Sequence, residues 1–399
     1  MKHRIVVLGA GYAGATAAGR IARRLRRGDV RITLVNAEPD FVERVRMHQL
    51  ATGQELKPRP LADVFKGTGV EVRVARVTSV DTEAKTVTLV ADGADGAEGR
   101  LEYDTLVYAL GSGWTDQGVP GVAEHAHQIA GRPGALRLRA RLTELTAGAP
   151  VVVVGGGLTG LELATELAES RPDLDIALVA RGGLGDWLSP QGRAHVRKVA
   201  ADLGITVHEH TTVTSVEADA VHTSTGPLPA AATIWTTGFA VHPVAAATSL
   251  KVTDTGRIVV DATMRSVSHP DVYAVGDAAY ALGHSDKPLR MSCASGIPAA
   301  WLAADVMAAR LAGTKVPQTV IGYTHQCVSL GRNQGLIQMV TPDDTVKDRA
   351  WTGRGAARYK ELICKAAYWS VAKPVMYPVR RRKVVGQPAG GRAFDTASA

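Results

Sequence analysis

The sequence predicts an α/β protein built from two doubly wound nucleotide-binding halves, on three observations. The glycine turn Gly9-Ala10-Gly11-Tyr12-Ala13-Gly14 recurs in design as Gly155-Gly156-Gly157-Leu158-Thr159-Gly160. Each follows a short unbroken apolar run, Ile5-Val6-Val7-Leu8 and Val151-Val152-Val153-Val154, as a strand buried on both faces requires. Each runs on into a helix-forming stretch. In such a turn the first glycine permits the bend, the second lets backbone approach a pyrophosphate, and the third lets helix pack on strand. The phosphates then meet the unpaired N–H groups of the helix N-terminus. One GxGxxG is common by chance, whereas a pair in matching context points to electron transfer between two nucleotides.

The first βαβ unit runs over residues 4–36, with Arg31-Ile32-Thr33-Leu34-Val35 as its second strand. The strand tip, where a ribose is held, normally carries an acid about 20 residues past the glycines. Here it reads Asn36-Ala37-Glu38, so Asn36 comes first and the acid two positions later. After Pro58-Arg59-Pro60, the alternating segments 70–80 and 86–90, a Gly- and Asp-rich turn over 92–99 and a strand over 104–110 read as a small antiparallel insert returning to the sheet. In the second half, the strand Asp175-Ile176-Ala177-Leu178-Val179 ends in Ala180-Arg181 where an NADH site would place an acid. An arginine there can pair bidentately with a 2′-phosphate, which tilts the donor toward NADPH over NADH; the alternative is a solvated surface residue.

A chain of 399 residues exceeds one hydrophobic core, so two or three domains are expected. Cys293, Cys327 and Cys364 are widely separated with no CxxC pair, which argues against a disulfide scaffold or thiol redox centre and reads as a reducing compartment. The opening Met1-Lys2-His3-Arg4 leads into the first glycine turn and reads as strand and helix, with no cleaved signal peptide. No apolar run is long enough to span a bilayer, and the expected location is cytoplasmic. Between Lys347 and Arg392 lie twelve Lys and Arg against two acids, a surplus that exceeds the net charge of +8 and leaves the rest slightly acidic. Basic residues gathered in a tail do not describe a nucleic-acid reader, which spreads them over a face with stacking aromatics.

His208, Glu209 and His210 alternate along an expected strand with both histidines on one face, but no further ligand lies at usable spacing, and no metal is expected. Cys293 and Cys327 read as small buried hydrophobes. No Gly-x-Ser-x-Gly or paired-carboxylate arrangement appears, which argues against a hydrolase.

Two further segments carry a family resemblance. Tyr103-Asp104-Thr105-Leu106-Val107-Tyr108-Ala109-Leu110-Gly111 resembles the ATG segment of flavoproteins related to glutathione reductase, and Asp271-Val272-Tyr273-Ala274-Val275-Gly276-Asp277 their late GD motif. Thr233-Ile234-Trp235-Thr236-Thr237-Gly238 resembles a second ATG strand. The order implies two Rossmann-like domains, the NAD(P) domain inserted into the FAD domain, plus a C-terminal cap. The implied spans are 1–118 and 245–322 for FAD, 119–244 for NAD(P), 323–385 for the C-terminal domain, and 386–399 for a disordered tail.

Within this superfamily the chain most resembles the type II NADH:quinone oxidoreductases and their soluble relatives. The stretches concerned are Phe41-Val42-Glu43-Arg44-Val45-Arg46-Met47-His48-Gln49, the second glycine turn with Leu161-Glu162, and Gln326-Cys327-Val328-Ser329-Leu330-Gly331-Arg332. The resemblance implies hydride transfer from NAD(P)H to FAD and delivery of two electrons to a small-molecule acceptor. It places Gly9, Gly11, Tyr12, Ala13, Gly14, Asn36, Ala37, Glu38, Arg44, Val77, Ala109, Gly111, Gly276 and Asp277 at FAD. It places Gly155, Gly157, Leu158, Thr159, Gly160, Arg181 and Gly238 at NADPH or NADH. Glu162 would lie near the nicotinamide, and His48 and His325 are candidates for proton handling, since histidine titrates near neutrality. Residues 292–298, Ser-Cys-Ala-Ser-Gly-Ile-Pro, lack the glutamines that contact quinone in those enzymes. The acceptor therefore stays open between a quinone and another small oxidised molecule. Alternatives are a ferredoxin-type reductase, a tailoring oxidoreductase of secondary metabolism, and a flavin-binding redox sensor.

The C-terminal segment places Tyr359, Leu362, Ile363, Ala366 and Ala367 on one helical face, with Lys360, Glu361, Lys365 and Lys373 elsewhere. Pro374 and Pro378 end the helix, and Arg380-Arg381-Arg382-Lys383 follow. Two readings stay open. The segment contacts the anionic inner face of the cell membrane peripherally, or it packs on the core or on a second copy in a homodimer.

Overall fold

The computed structural model describes residues 1–91, 98–372 and 382–386. The strand His3–Leu8 is central in a five-stranded parallel sheet, ordered Val272–Ala274, Thr105–Tyr108, His3–Leu8, Val30–Asn36, Val70–Val74. Its β-branched run is buried from both sides, with Ile5, Val7 and Leu8 fully enclosed. A second five-stranded parallel sheet is ordered Thr206–His208, Asp175–Val179, Pro150–Val154, Ala232–Trp235, Ala126–His127. In both sheets the strand order reverses beside the strand that feeds a glycine turn, so a crevice opens at the C-terminal ends of these strands. Every strand of the second sheet falls in sequence between Thr105–Tyr108 and Val272–Ala274 of the first. The two chain crossings run side by side, Ser112–Trp114 pairing antiparallel with Phe239–Val241.

Behind the first sheet, the helices Tyr12–Arg24 and Cys293–Leu311 pack closely because their facing residues are small. Ala15, Ala17 and Ala18 of the first and Ala300, Ala303 and Ala304 of the second are all fully buried in the same core. Arg20 and Arg24 both donate paired hydrogen bonds to Asp305, which fixes the crossing. After the second helix come a three-stranded antiparallel sheet, His325–Leu330, Gln334–Val340 and Val346–Thr352, and the C-terminal helix Arg354–Ala372.

Several sequence expectations change. Segment 70–80 is two strands. Val70–Val74 extends the parallel sheet, while Arg76–Asp81 joins Thr86–Val90 and Glu98–Glu102 in the antiparallel insert. Only Ala75 separates them, so the alternation runs on through the change of sheet. His208 ends its strand, and His210 adopts a left-handed φ of 51°, so the two histidines share no strand face. The C-terminal helix is turned from the expected face. It buries Ala356, Lys360, Cys364, Ala367 and Val371 and leaves Leu362 59% exposed and Trp369 46% exposed, because a buried carboxylate draws Lys360 inward. Lys383 is docked: its backbone pairs beside Leu25, bonding Arg24 and Arg26. Val385 N–H donates to Asp29, and Gly386 N–H to the Leu311 carbonyl. The turn expected over 92–99 lies mostly outside the described residues, as do Lys373, Pro374, Pro378, Arg380, Arg381 and the tail beyond 386.

Candidate active site

The crevices of the two sheets meet in one cleft of about 600 Å³. Gly11, Tyr12, Ala13, Asn36, Glu38, Arg44, Ala109, Gly111, Gly276 and Asp277 line it from the first unit, and Leu158, Thr159, Glu162 and Gly238 from the second. His48 and His325 also stand on its wall, so all three candidate catalytic residues converge there. Gly9, Gly14, Gly155 and Gly160 shape the turns behind the surface, Gly157 is exposed, and Ala37 and Arg181 lie off the wall. Val77 is 5% exposed within the core and does not reach the cleft, because it belongs to the antiparallel insert.

The first turn separates the roles of its glycines. Gly9 has φ +91° and a Cβ there would collide with the Ala109 carbonyl, while a Cβ on Gly14 would strike the Gly9 carbonyl. Gly11 faces open space, with nothing within 4 Å of an added Cβ, and caps its helix without a side-chain acceptor. Gly157 does the same in the second turn. Two 13-residue helices thus begin with unpaired N–H groups, their cap glycines backed by open space, a surface that suits two pyrophosphates. Asn36 supports the first turn directly. Its Oδ1 accepts from Ala10 N–H at 2.8 Å, and its Nδ2 donates to the Glu38 carbonyl at 2.7 Å. The polar tip residue is thereby spent on the turn, and the Glu38 carboxylate beyond it lines the cleft.

Asp277 is held by Ser112, whose hydroxyl donates to it at 2.6 Å, and by Arg44 at 3.7 Å. Arg44 also donates to the Ser112 carbonyl at 2.7 Å, tying three distant segments to one point of the cleft. Burial lowers the Arg44 pKa, with Asp277 opposing.

At the junction of the two units, Glu162 sits one turn into the helix Leu158–Ser170 with 4% exposure. Its Oε1 accepts from Lys360 Nζ at 3.0 Å and from Ser329 N–H at 3.0 Å. Its Oε2 lies 3.9 Å from His48 Nδ1. Lys360 also donates to the Cys327 carbonyl at 3.2 Å. Burial alone would lower the Lys360 pKa, but Glu162, with Cys364 and Cys327 adding to it, raises it above the ordinary lysine value and keeps the ammonium charged. Burial lowers the His48 pKa, opposed by Glu162, so the ring is neutral at pH 7, and its Nε2 has no partner among the described residues.

His325 stands at the cleft edge, its Nδ1 2.7 Å from the Thr324 hydroxyl and its ring 5.5 Å edge-on from Tyr359. Burial and Arg290 both lower its pKa. All three cysteines are free thiols. Burial pushes Cys327 up to about 12 and Cys364 up to about 11 and raises Cys293, so none is a thiolate at neutral pH.

Sequence reasoning missed Lys360, Ser112, Arg132 and Arg290. Lys360 read as lying off the helix's apolar face, and its partner Glu162 is remote in sequence. Arg132 opens a helix of the second unit, lines the cleft and pairs with Asp40 of the first at 2.9 Å. The Gly131-Arg132-Pro133 signature of a helix start, with proline in the first turn, was available locally.

The model of the pyridine nucleotide-disulphide oxidoreductase family matches residues 3–307. An NADH dehydrogenase-like protein of Mycobacterium tuberculosis is 32% identical over 321 residues, covering 74% of this chain and 77% of its own. A demethylphylloquinone reductase of Synechocystis is 28% identical over 292 residues, covering 69% and 72%. Among solved structures, NDH2 from Plasmodium falciparum in complex with NADH superposes with a TM-score of 0.77 at 15% identity, covering 93% of this chain and 98% of that one.

Proposed function

The chain belongs to the pyridine nucleotide-disulphide oxidoreductase family, an FAD-dependent NAD(P)H oxidoreductase by that membership, and we propose that it passes two electrons to a quinone. FAD, when bound, supplies the two-electron chemistry. The protein's own residues bind, orient and manage protons. The first glycine turn and the helix behind it receive one pyrophosphate, Glu38 accepts from a ribose, and Asp277 is fixed by Ser112 and Arg44. The second turn receives the nicotinamide nucleotide, and Arg181, exposed and without an ion-pair partner among the described residues, is free to meet a 2′-phosphate. NADPH is therefore the preferred donor. Bringing both rings into one cleft makes the transfer effectively intramolecular.

The observation that carries the acceptor assignment is the buried Glu162, Lys360 and His48 cluster on the cleft wall. A quinone gains protons with its electrons, and a charged pair beside a neutral imidazole suits an oxygen becoming a hydroxyl. A protein iron–sulfur partner would need neither the burial nor the proton.

No helix among the described residues is long and apolar enough to cross a membrane. The stripe Arg358, Leu362, Lys365 and Trp369 on the C-terminal helix, exposed and both cationic and apolar, suits peripheral contact with an anionic membrane face. Steady-state rates with a water-soluble naphthoquinone, a ferredoxin, dioxygen and a dye test the acceptor. The quinone is expected to give the highest kcat/KM, and a preference for ferredoxin would contradict the assignment.

A further inference from the structure

Beside the dinucleotide cleft lies a second cavity, of about 410 Å³. Gln49, Gln54, Glu166, Ser329, Arg332 and Glu361 line it, and the side chains of Arg332 and Glu361 are 51% and 41% exposed at its surface end. Among the described residues the two cavities share a wall of Val45, His48 and Lys360. In that wall Lys360 is committed to Glu162 and the Cys327 carbonyl, and Val45 is apolar. His48 alone has an uncommitted polar atom, the buried Nε2.

The overall reaction assigned above, NAD(P)H + H⁺ + Q → NAD(P)⁺ + QH₂, takes one proton from water in each turnover. Resting on that assignment, we propose that the side cavity brings this proton from solvent and that His48 passes it into the dinucleotide cleft. The ring accepts the proton from a buffer acid in the bulk, relayed through the cavity's water, and the conjugate base stays in solution. It then gives the proton to the acceptor oxygen and returns to neutral, while the electrons come from NAD(P)H. The charges acting on His48 are Glu162 and Glu166 from the Leu158–Ser170 helix, Lys360 from the C-terminal helix and Arg46 from the preceding turn, while the Arg132–Glu144 helix, also packed against its helix, adds none of them. Glu162, at 3.9 Å, steadies the imidazolium in passing. Burial that disfavours the charged ring also makes it a ready proton donor.

Gln54 lines the side cavity and not the cleft, so Gln54→Trp obstructs the route without touching the dinucleotide surface; Gln49→Trp serves if the first variant does not fold. In the FAD-loaded variant, anaerobic bleaching of the flavin by NADPH should keep its wild-type rate. Reoxidation by a naphthoquinone should slow about tenfold or more, with a larger solvent deuterium isotope effect. The same slow step is expected in His48→Gln, and added imidazole should restore it in His48→Ala. Independently of turnover, diethyl pyrocarbonate should carbethoxylate His48 in the FAD-loaded wild type, and Gln54→Trp should protect it. If the wild type fails to reduce the quinone, the acceptor assignment falls. The proton route is then read with dioxygen, whose reduction to peroxide takes the same proton. Wild-type reoxidation and an unchanged isotope effect in Gln54→Trp, with His48 equally reactive in both proteins, would overturn the inference.

Discussion

Removing either charge of the Glu162–Lys360 pair leaves the other buried and alone. Glu162→Gln should destabilise the fold by about 3–5 kcal/mol, and adding Lys360→Met should recover part of the loss in thermal unfolding. The pH dependence has a definite sign. Burial lowers the pKa of His48, and likewise of His3, His127, His195, His242 and His325. A base whose folded value is lowered contributes stability that is present above the unfolded value of 6.5 and lost as pH falls below it. Tm should therefore drop between pH 7 and 5, and His48→Gln should shrink the drop. Lys360, raised, has the opposite sign: its contribution is present at neutral pH and lost only above the ordinary lysine value. At the second nucleotide site, Arg181→Glu exchanges a phosphate partner for a like charge. The NADPH-to-NADH ratio of kcat/KM should fall about tenfold or more; an unchanged ratio would assign the arginine to solvent.

Among elements, the two glycine turns were legible because everything they need is local: an apolar strand, glycines at fixed spacing and a helix. Their geometry separates two substitutions. Gly11→Val should fold, since its cap has extended geometry at φ −69° and open space around it, yet purify nearly free of flavin. Gly14→Val should fail to fold, because its side chain would enter the Gly9 carbonyl. Spectra and circular dichroism of the two proteins check this. The C-terminal helix was legible as a helix and misread in orientation. Its face is set by tertiary partners: Glu162 pulling Lys360 inward, Arg46 donating to Glu361, and Arg59 stacked 3.9 Å over Tyr368. Leu362→Gln with Trp369→Gln should thus leave Tm within a degree or two, as exposed substitutions do, while weakening sedimentation with anionic vesicles at low salt. Equal sedimentation of the double variant and wild type would remove the membrane assignment.

In the whole molecule, the two nucleotide units were readable from repeated local signals, and sixteen of the residues singled out in the sequence as site candidates lie on the cleft wall. What could not be read is the centre they enclose. Lys360, Ser329 and His48 reach Glu162 from three segments remote from one another and from it, and no local pattern announces such a meeting. Lys360 even carried the opposite signal, since it reads as lying off the helix's apolar face. The same holds for Asp40 and Arg132, which join the two units across the cleft. Function here depends on how the units face each other, with one nucleotide turn on each side of a shared cavity. The most direct test is anaerobic stopped-flow mixing of the purified FAD-loaded protein, first with NADPH or NADH and then with a water-soluble naphthoquinone. The account predicts that the flavin absorbance bleaches rapidly, faster with NADPH, and returns on mixing with the quinone. A flavin that neither nucleotide bleaches, or that stays bleached in the presence of quinone, would contradict it.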